Sequence, residues 1–178
     1  MAPTFKCETT NAPGVKLIQR TNYTDLRGEF GKIFNEEAMN ELDLPNKYPE
    51  VIYSISQKNV IRGMHYQAYP YSAGKLITVL KGGIEDVVVY IGREEKITRG
   101  LIYSTILTSE NMRSLYVPEG YAHGFRSLEE GTIVCYLQTK VYNQNSDKGY
   151  RWNSINYDWN IENPIISEKN KNLPVFRQ

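Results

Sequence analysis

Residues that bind metals or form cross-links are scarce in this sequence. Two histidines and two cysteines occur among 178 residues. A zinc or iron site takes three or four ligands from His, Cys and carboxylates, and the sequence has no Cys-x-x-Cys motif. Cys7 belongs to a polar stretch and Cys135 to the apolar run "TIVCYLQ", so we expect free thiols rather than a disulfide. The sequence therefore disfavours a metal site.

An excess of charge of one sign and a long apolar run are also lacking. Basic residues number 21 and acidic residues 20, so no net field would attract nucleic acid or an anionic membrane. No stretch approaches the roughly 20 apolar residues of a membrane span, and no basic-then-apolar leader opens the sequence. We expect a cytoplasmic protein with neither partner, folded as one domain over residues 1–178.

Short strand patterns dominate the sequence from residue 50 onward. Runs of β-branched and aromatic residues recur about every ten residues and are separated by turn residues. The segment "KLITVLKGGIEDVVVYIG" predicts two strands paired as a hairpin across residues 81–83, and "EVIYSISQKNVIRGMHYQ" predicts another across residues 58–59. Many short strands favour an all-β fold, an antiparallel sandwich or barrel, with the jelly roll as its natural closed form.

Two segments depart from the strand pattern. Residues 35–44, "NEEAMNELDL", predict a short helix that Asn35 caps and that presents Met39 and Leu42 on one face. We expect it to pack on a sheet edge. The tail after Tyr150 is irregular and aromatic, and we expect it to wrap the barrel.

His65, in the predicted strand "VIRGMHYQ", admits three interpretations. Strict alternation would turn Gly63, His65 and Gln67 to one side of the strand and Arg62 to the other, which directs His65 into the barrel. His65 could be a buried core residue. It could ligate a metal, but residue 67 is not a second histidine and only His123 remains. It could also transfer a proton.

Lys75 and Tyr136 would supply the other parts of a proton-transfer site. An imidazole, an ammonium and a phenol facing one interior can remove a proton beside a carbonyl, stabilise the enolate oxygen and return a proton to the opposite face. Spacing alone leaves open a solvated strand end for Lys75 and a core aromatic for Tyr136. His123, in "VPEGYAHGF", is expected to have a structural role in a turn between strands.

In this order, the segments resemble the sugar-nucleotide 3,5-epimerase family. The resemblance runs from "DLRGEFGKIF" through "SISQKNVIRGMHYQ", "GKLITVLKGGIEDVVVYI", "YVPEGYAHGF" and "VCYLQTKVY" to "RWNS" and "NPIISEKN". It implies a metal-free jelly-roll barrel of the cupin type that forms a homodimer. It also implies an isomerase that needs no cofactor and acts on a nucleotide-linked 4-keto sugar, inverting carbon 3 and in some cases carbon 5.

The resemblance also implies a role for individual residues. His65 matches the general base, Tyr136 the acid on the other face of the sugar, and Lys75 the lysine near the keto oxygen. The implied substrate-binding residues are Arg27 and Arg62 on the diphosphate, Phe30 near the nucleotide, Asp86 near the lysine, Tyr142 as a further pocket tyrosine, and Gln67 in the histidine motif.

Several residues depart from the family pattern. Asn170 replaces an aspartate that pairs with the histidine; its amide can fix the tautomer of His65 but supplies no charge to raise the pKa of the base. Lys32 replaces an acidic residue that meets thymine, Ile52 replaces an asparagine, and Tyr90 replaces an aspartate. Because an ammonium prefers acceptors such as those of guanine, the nucleotide could be GDP as well as dTDP. A GDP-4-keto-heptose enzyme of capsular polysaccharide biosynthesis would suit the sequence, as would one acting on a dTDP-4-keto-6-deoxyhexose.

Two other functions stay open from the sequence. A sugar-nucleotide ketoisomerase would use a similar enolate but needs its acid on the same face as the base, which counts against it if Tyr136 is the acid. A non-catalytic sugar-binding jelly roll is favoured by Asn170 and opposed by the joint presence of His65, Lys75 and Tyr136.

Overall fold

The computed structural model describes residues 5–92, 94 and 96–178, in which two antiparallel sheets face each other beside a separate hairpin. Sheet 1 contains, in spatial order, β1 (Phe5–Thr9), β2 (Lys16–Arg20), β10 (Arg113–Val117), β7 (Lys75–Lys81), β12 (Thr132–Gln138) and β5 (Glu50–Ser56). Sheet 2 contains β13 (Asp147–Gly149), β6 (Ile61–Gln67), β11 (Tyr121–Ser127), β8 (Gly83–Tyr90) and β9 (Ile102–Thr108). The remaining elements are the hairpin of β3 (Asn22–Asp25) and β4 (Gly28–Gly31), the helices α1 (Glu36–Glu41) and α2 (Glu168–Lys171), and a 3-10 helix (Trp152–Ser154). The all-β jelly-roll prediction is confirmed.

Alternation along the strands builds the core and also leaves room for a site. In β7, Ile77 and Val79 point between the sheets, whereas Leu76 points outward. In β8, Val88 points inward and Val87 outward. The inward residues on the side of β5, β6 and β12 are largely polar, so the sheets do not close there with apolar packing. The cavity described below lies on that side.

The predicted hairpins across residues 58–59 and 81–83 are wrong. β5 and β7 belong to sheet 1, whereas β6 and β8 belong to sheet 2, so each connection carries the chain from one sheet to the other. β7 and β8 each have hydrogen-bonded neighbours on both sides and are covered on both faces, so each is a central strand of its own sheet. Gly82 supports the corner with a φ of 73°. Turn chemistry predicts a change of direction but not the partner strand.

Two outer layers cover the sheets. The predicted helix is confirmed: the Asn35 side chain accepts a hydrogen bond from the Ala38 amide at 2.9 Å, and Met39 is fully buried against Ile18 and Leu76. The helix packs on the outer face of sheet 1 rather than on an edge. The tail after Tyr150 covers the outer face of sheet 2 through Ile155, Trp159 and Phe176.

The β3–β4 hairpin and the edge strand β5 leave apolar side chains in water. Among the described residues β3 pairs with β4 alone, and Leu26 and Phe30 are exposed there. In the described part of the chain β5 has β12 as its single partner, and it exposes Val51, Tyr53 and Ile55. In the part of the chain that the structure describes, no helix has the length and apolar character to cross a bilayer.

Candidate active site

A cavity of about 560 Å³ lies between the sheets, beside β5 and β6. Its volume is within the range of small-molecule sites. Three cationic side chains, Arg62, Lys75 and Lys169, line it, and its described lining contains no carboxylate. The other lining residues are Ile52, Tyr53, Ser54, Val60, Ile61, His65, His123, Phe125, Tyr136, Gln138, Ile165, Ile166, Ser167 and Asn170.

A β-bulge in β6 turns both Arg62 and His65 into this cavity. Three steps along β6 are matched by two steps along β11, and the extra residue reverses the alternation of side chains. The expectation that Arg62 and His65 face opposite sides is therefore wrong. Glycines permit the bulge: a Cβ on Gly63 would lie 2.4 Å from the Cα of Gly124, and Gly63 has a φ of 134°.

Asn170 orients His65. The Nε2 of His65 and the Oδ1 of Asn170 are 2.8 Å apart. Asn170 lies in α2, where the Ser167 side chain caps the helix by accepting a hydrogen bond from the backbone N–H of Asn170. With the amide oxygen as acceptor, the imidazole carries its proton on Nε2 and keeps the lone pair of Nδ1 free to take a proton.

The surroundings keep His65 uncharged. Burial lowers the pKa of His65 to about 4. The hydrogen bond that His65 donates to Asn170 opposes that change, and the nearby ammonium of Lys75 reinforces it. At neutral pH the imidazole is therefore a neutral proton acceptor.

Tyr136 and Lys75 lie on the opposite wall, in sheet 1. The Oη of Tyr136 and the Oγ of Ser54 are 3.2 Å apart. Burial raises the pKa of Tyr136, and the hydrogen bond with Ser54 offsets only part of that rise, so the phenol holds its proton at neutral pH. Burial lowers the pKa of Lys75, opposed by the carboxylates of Asp147 and Asp86.

The prediction that His123 lies in a turn is wrong: His123 lies within β11, and its side chain lines the cavity. Its Nε2 is 2.8 Å from Oδ2 of Asp86, and both side chains are buried. Asp86 thus stands behind His123, where its charge also acts on Lys75. The buried pair gives the cavity a second oriented imidazole.

Arg62 is held in place from the neighbouring sheet. Its Nε donates to Oγ of Ser56 at 3.0 Å, and its Nη2 donates to the carbonyl of Ile55 at 3.0 Å. These bonds join β6 to β5, strands that share no backbone pairing. The guanidinium therefore has a fixed orientation while it lines the cavity.

Gln67 and Tyr142, like Asp86, were predicted to bind substrate and lie near the cavity but outside its lining. The amide of Gln67 is occupied by backbone groups: Nε2 donates to the carbonyls of Tyr71 and Val141, and Oε1 accepts from the Asn143 amide. This arrangement gives Gln67 a structural task in the loop that follows β12. The exposed Tyr142 donates its hydroxyl to Asp147 at 3.1 Å.

Asp147 connects Tyr142 to the cavity through Lys169. Burial alone would raise the pKa of Asp147, but the bonded ammonium of Lys169 and the hydrogen bond from Tyr142 together lower that pKa. Lys169 lines the cavity and was not singled out from the sequence. Its place one residue before Asn170 was the only available signal.

Arg27 and Phe30 lie on the exposed β3–β4 hairpin. Arg27 contacts Asp25 of the same hairpin, and Phe30 is 69% exposed. Neither belongs to the lining of the cavity in its own chain.

A β-barrel cavity that pairs a neutral imidazole with a protonated phenol on the opposite wall, among three cations, is the arrangement that acid–base catalysis on a small molecule requires. The family model described as dTDP-4-dehydrorhamnose 3,5-epimerase matches residues 9–178. The chain belongs to this family and is a nucleotide 4-keto-sugar epimerase.

Relatives match almost the whole chain. The dTDP-4-dehydrorhamnose 3,5-epimerase of Methanothermobacter thermautotrophicus is 36% identical over 98% of this chain and 96% of its own length. The Shigella flexneri enzyme of the same name is 35% identical over 94% of this chain and 93% of its own. A crystal structure of the Bacillus anthracis enzyme with TDP and PPi bound has a TM-score of 0.92 at 32% identity, covering 97% of this chain and 99% of that one.

Proposed function

We propose that this protein inverts carbon 3, and carbon 5 in turn, of a nucleotide-linked 4-keto sugar through an enolate. The observation that carries the proposal is the placement of His65 and Tyr136 in opposite sheets that line one cavity. Inversion needs a base on one face of the sugar ring and an acid on the other.

Each side chain has a defined step in this reaction. Nδ1 of His65 removes the proton from the carbon beside the keto group, and the electron pair moves to the keto oxygen. Lys75 stabilises the resulting enolate oxygen. The hydroxyl of Tyr136 then delivers its proton to the opposite face of the same carbon and becomes a phenolate. His65 then releases its extra proton to solvent, and the Tyr136 phenolate takes a proton from solvent, which restores both residues.

The charge of the cavity supports a substrate with a diphosphate. Arg62, Lys75 and Lys169 line it without a carboxylate among the described lining residues, and the orientation of Arg62 is fixed by two hydrogen bonds. A guanidinium suits phosphate because it presents several donors in one plane. The diphosphate is therefore assigned to Arg62.

The nucleotide is the open part of the substrate. A Legionella pneumophila relative, with a TM-score of 0.88 at 30% identity, was solved in complex with dTDP-4-keto-L-rhamnose, which supports a dTDP-linked 6-deoxyhexose. Lys32 favours guanine instead, because its ammonium can meet acceptors on the base. Both dTDP-4-keto-6-deoxyhexose and GDP-4-keto-heptose are therefore candidates. The role in bacterial surface-polysaccharide biosynthesis and the cytoplasmic location remain predictions.

We also propose that the enzyme works as a homodimer. The edge strand β5 exposes Val51, Tyr53 and Ile55, which a second copy would cover. The β3–β4 hairpin carries the predicted ligands Arg27 and Phe30 away from their own cavity, so a second copy offers them a place to act. Mixing inactive His65→Asn chains with inactive Arg27→Ala chains tests this arrangement. Recovery of activity is expected if the hairpin reaches the neighbouring cavity, and no recovery would contradict it.

The function itself is tested by mass spectrometry in deuterated water with both candidate substrates. Uptake of two deuterons with inversion supports action at carbons 3 and 5, and uptake of one supports action at a single carbon. If neither substrate takes up deuterium although both still bind, a non-catalytic sugar-binding protein is favoured. Movement of the keto group would favour a ketoisomerase.

A further inference from the structure

Two serines of β5 point inward, two residues apart, and each holds a different part of the site. The Oγ of Ser54 lies 3.2 Å from Oη of Tyr136. The Oγ of Ser56 accepts from Nε of Arg62 at 3.0 Å. Since side chains two apart on a strand share a face, β5 presents both hydroxyls to the cavity side from one rigid backbone.

We infer that Ser54 and Ser56 are positioning residues with separate tasks: Ser54 supports proton delivery by Tyr136, and Ser56 aims Arg62 at the substrate's phosphate. This inference deepens the proposed function and rests on it. Neither serine transfers a proton to the substrate.

The contribution of Ser54 appears only as the reaction proceeds. In the resting enzyme it shares a hydrogen bond between two neutral hydroxyls. After Tyr136 gives its proton to the enolate carbon, the oxygen becomes a buried phenolate and Ser54 becomes the donor to it. Hydrogen bonds to an ionised acceptor are about twice as strong as neutral ones, so the interaction strengthens along the reaction. Such an interaction raises kcat without changing substrate binding.

Ser56 acts on binding instead. It is 2% exposed, and its hydroxyl fixes the Nε side of the guanidinium while the Ile55 carbonyl fixes Nη2. Without Ser56, the guanidinium keeps one of two anchors and samples more orientations. Because the phosphate contact is the same in ground and transition states, KM rises and kcat does not.

The test compares Ser54→Ala, Ser54→Thr and Ser56→Ala in deuterated water with whichever candidate sugar nucleotide the wild type converts. Two outcomes are measured in each reaction: deuterium uptake with retained configuration, for which His65 is the only proton-transfer group needed, and inversion, which also needs proton delivery by Tyr136. Their ratio comes from one preparation, so it does not depend on the fraction of protein that is correctly folded.

For Ser54→Ala we expect inversion to fall about tenfold while KM and the uptake with retention persist, so that the ratio of retention to inversion rises about tenfold. Ser54→Thr keeps the hydroxyl and is expected to restore the wild-type ratio. For Ser56→Ala we expect KM to rise about tenfold at an unchanged ratio.

An unchanged ratio in Ser54→Ala would overturn the assignment of Ser54. A changed ratio in Ser56→Ala, or an unchanged KM, would overturn the separation of tasks. If the wild type shows neither uptake nor inversion, the proposed function is overturned and this inference with it. If the wild type is active and the serine variants match it in both KM and the ratio of retention to inversion, the inference alone is overturned.

Discussion

Replacing Asn170 by aspartate should turn a weak base into a stronger one. Asn170 is 4% exposed and its oxygen lies 2.8 Å from Nε2 of His65, so Asn170→Asp puts a carboxylate of nearly the same shape in contact with the imidazole. An opposite charge at this distance moves a pKa by about 1 to 3 pH units. The pKa of His65, lowered by burial to about 4, should therefore rise by that amount.

The rate should change in opposite directions at the two ends of the pH range. At pH 8 His65 is neutral in both the wild type and Asn170→Asp. A pKa higher by 1 to 3 units then raises the proton-transfer rate about 3- to 30-fold if half of the change in basicity is expressed in the transition state. At acid pH the variant protonates first, so its activity falls at a higher pH than that of the wild type. Profiles of kcat/KM from pH 4 to 9 measure both effects.

Asn170→Ala is the matched control because it removes the acceptor without adding charge. It should lower kcat/KM about 10- to 100-fold over the whole range, since the imidazole loses its fixed tautomer and orientation. The reasoning is refuted if Asn170→Asp shows its acid limb at or below that of the wild type. It is refuted equally if Asn170→Ala retains full turnover.

Three further predictions follow from the geometry. Tyr136→Phe should lower the rate of inversion about 10²- to 10⁴-fold yet keep deuterium uptake with retention. If uptake were lost as well, Tyr136 would be needed for proton abstraction itself. Because burial lowers the pKa of His65 below its unfolded value of 6.5, the unfolded chain binds its proton first, so the free energy of unfolding should fall by about 3 kcal/mol between pH 6.5 and pH 4. His65→Gln should flatten that part of the denaturation profile, and an equal slope would argue against a buried neutral imidazole. Gly63→Ala should lower the melting temperature by at least about 4 °C, because its Cβ would meet the backbone of Gly124 at 2.4 Å. Gly131→Ala should cost less, because Gly131 also has a positive φ but the nearest atom beyond its chain neighbours lies 3.8 Å from the added Cβ.

Spacing alone left Lys75 open as a solvated strand end and Tyr136 as a core aromatic; the family resemblance implied that they share a site, and both line the cavity. Strict alternation along β6 predicted the inward direction of His65. It failed at Arg62, because one extra residue in β6 reverses the side of every residue beyond the bulge, and bulges carry no clear mark in a single sequence. The two glycines of the bulge, Gly63 and Gly124, were visible, but they lie on different strands. Only the register between those strands shows that they meet.

Long-range pairing explains the other errors. The turn at residues 81–83 was recognised, but the connection crosses between sheets because β7 and β8 each have two other hydrogen-bonded neighbours. His123 was assigned to a turn because the glycines beside it suggested one. The contact that orients its imidazole, with Asp86, joins residues 37 positions apart. Local patterns therefore predicted which elements exist, whereas partner strands and side-chain pairs depended on the assembled fold.

The bond between His65 and Asn170 spans 105 positions in the chain. During synthesis, the imidazole emerges from the ribosome long before the residue that orients it, and α2 packs against β6 only after both segments are available. Full turnover is therefore expected to depend on a long-range contact that cannot form until residue 170 has been added to the chain. In a refolding experiment, recovery of activity would mark completion of the structure more strictly than recovery of β-sheet content, which the strands can regain before Asn170 arrives.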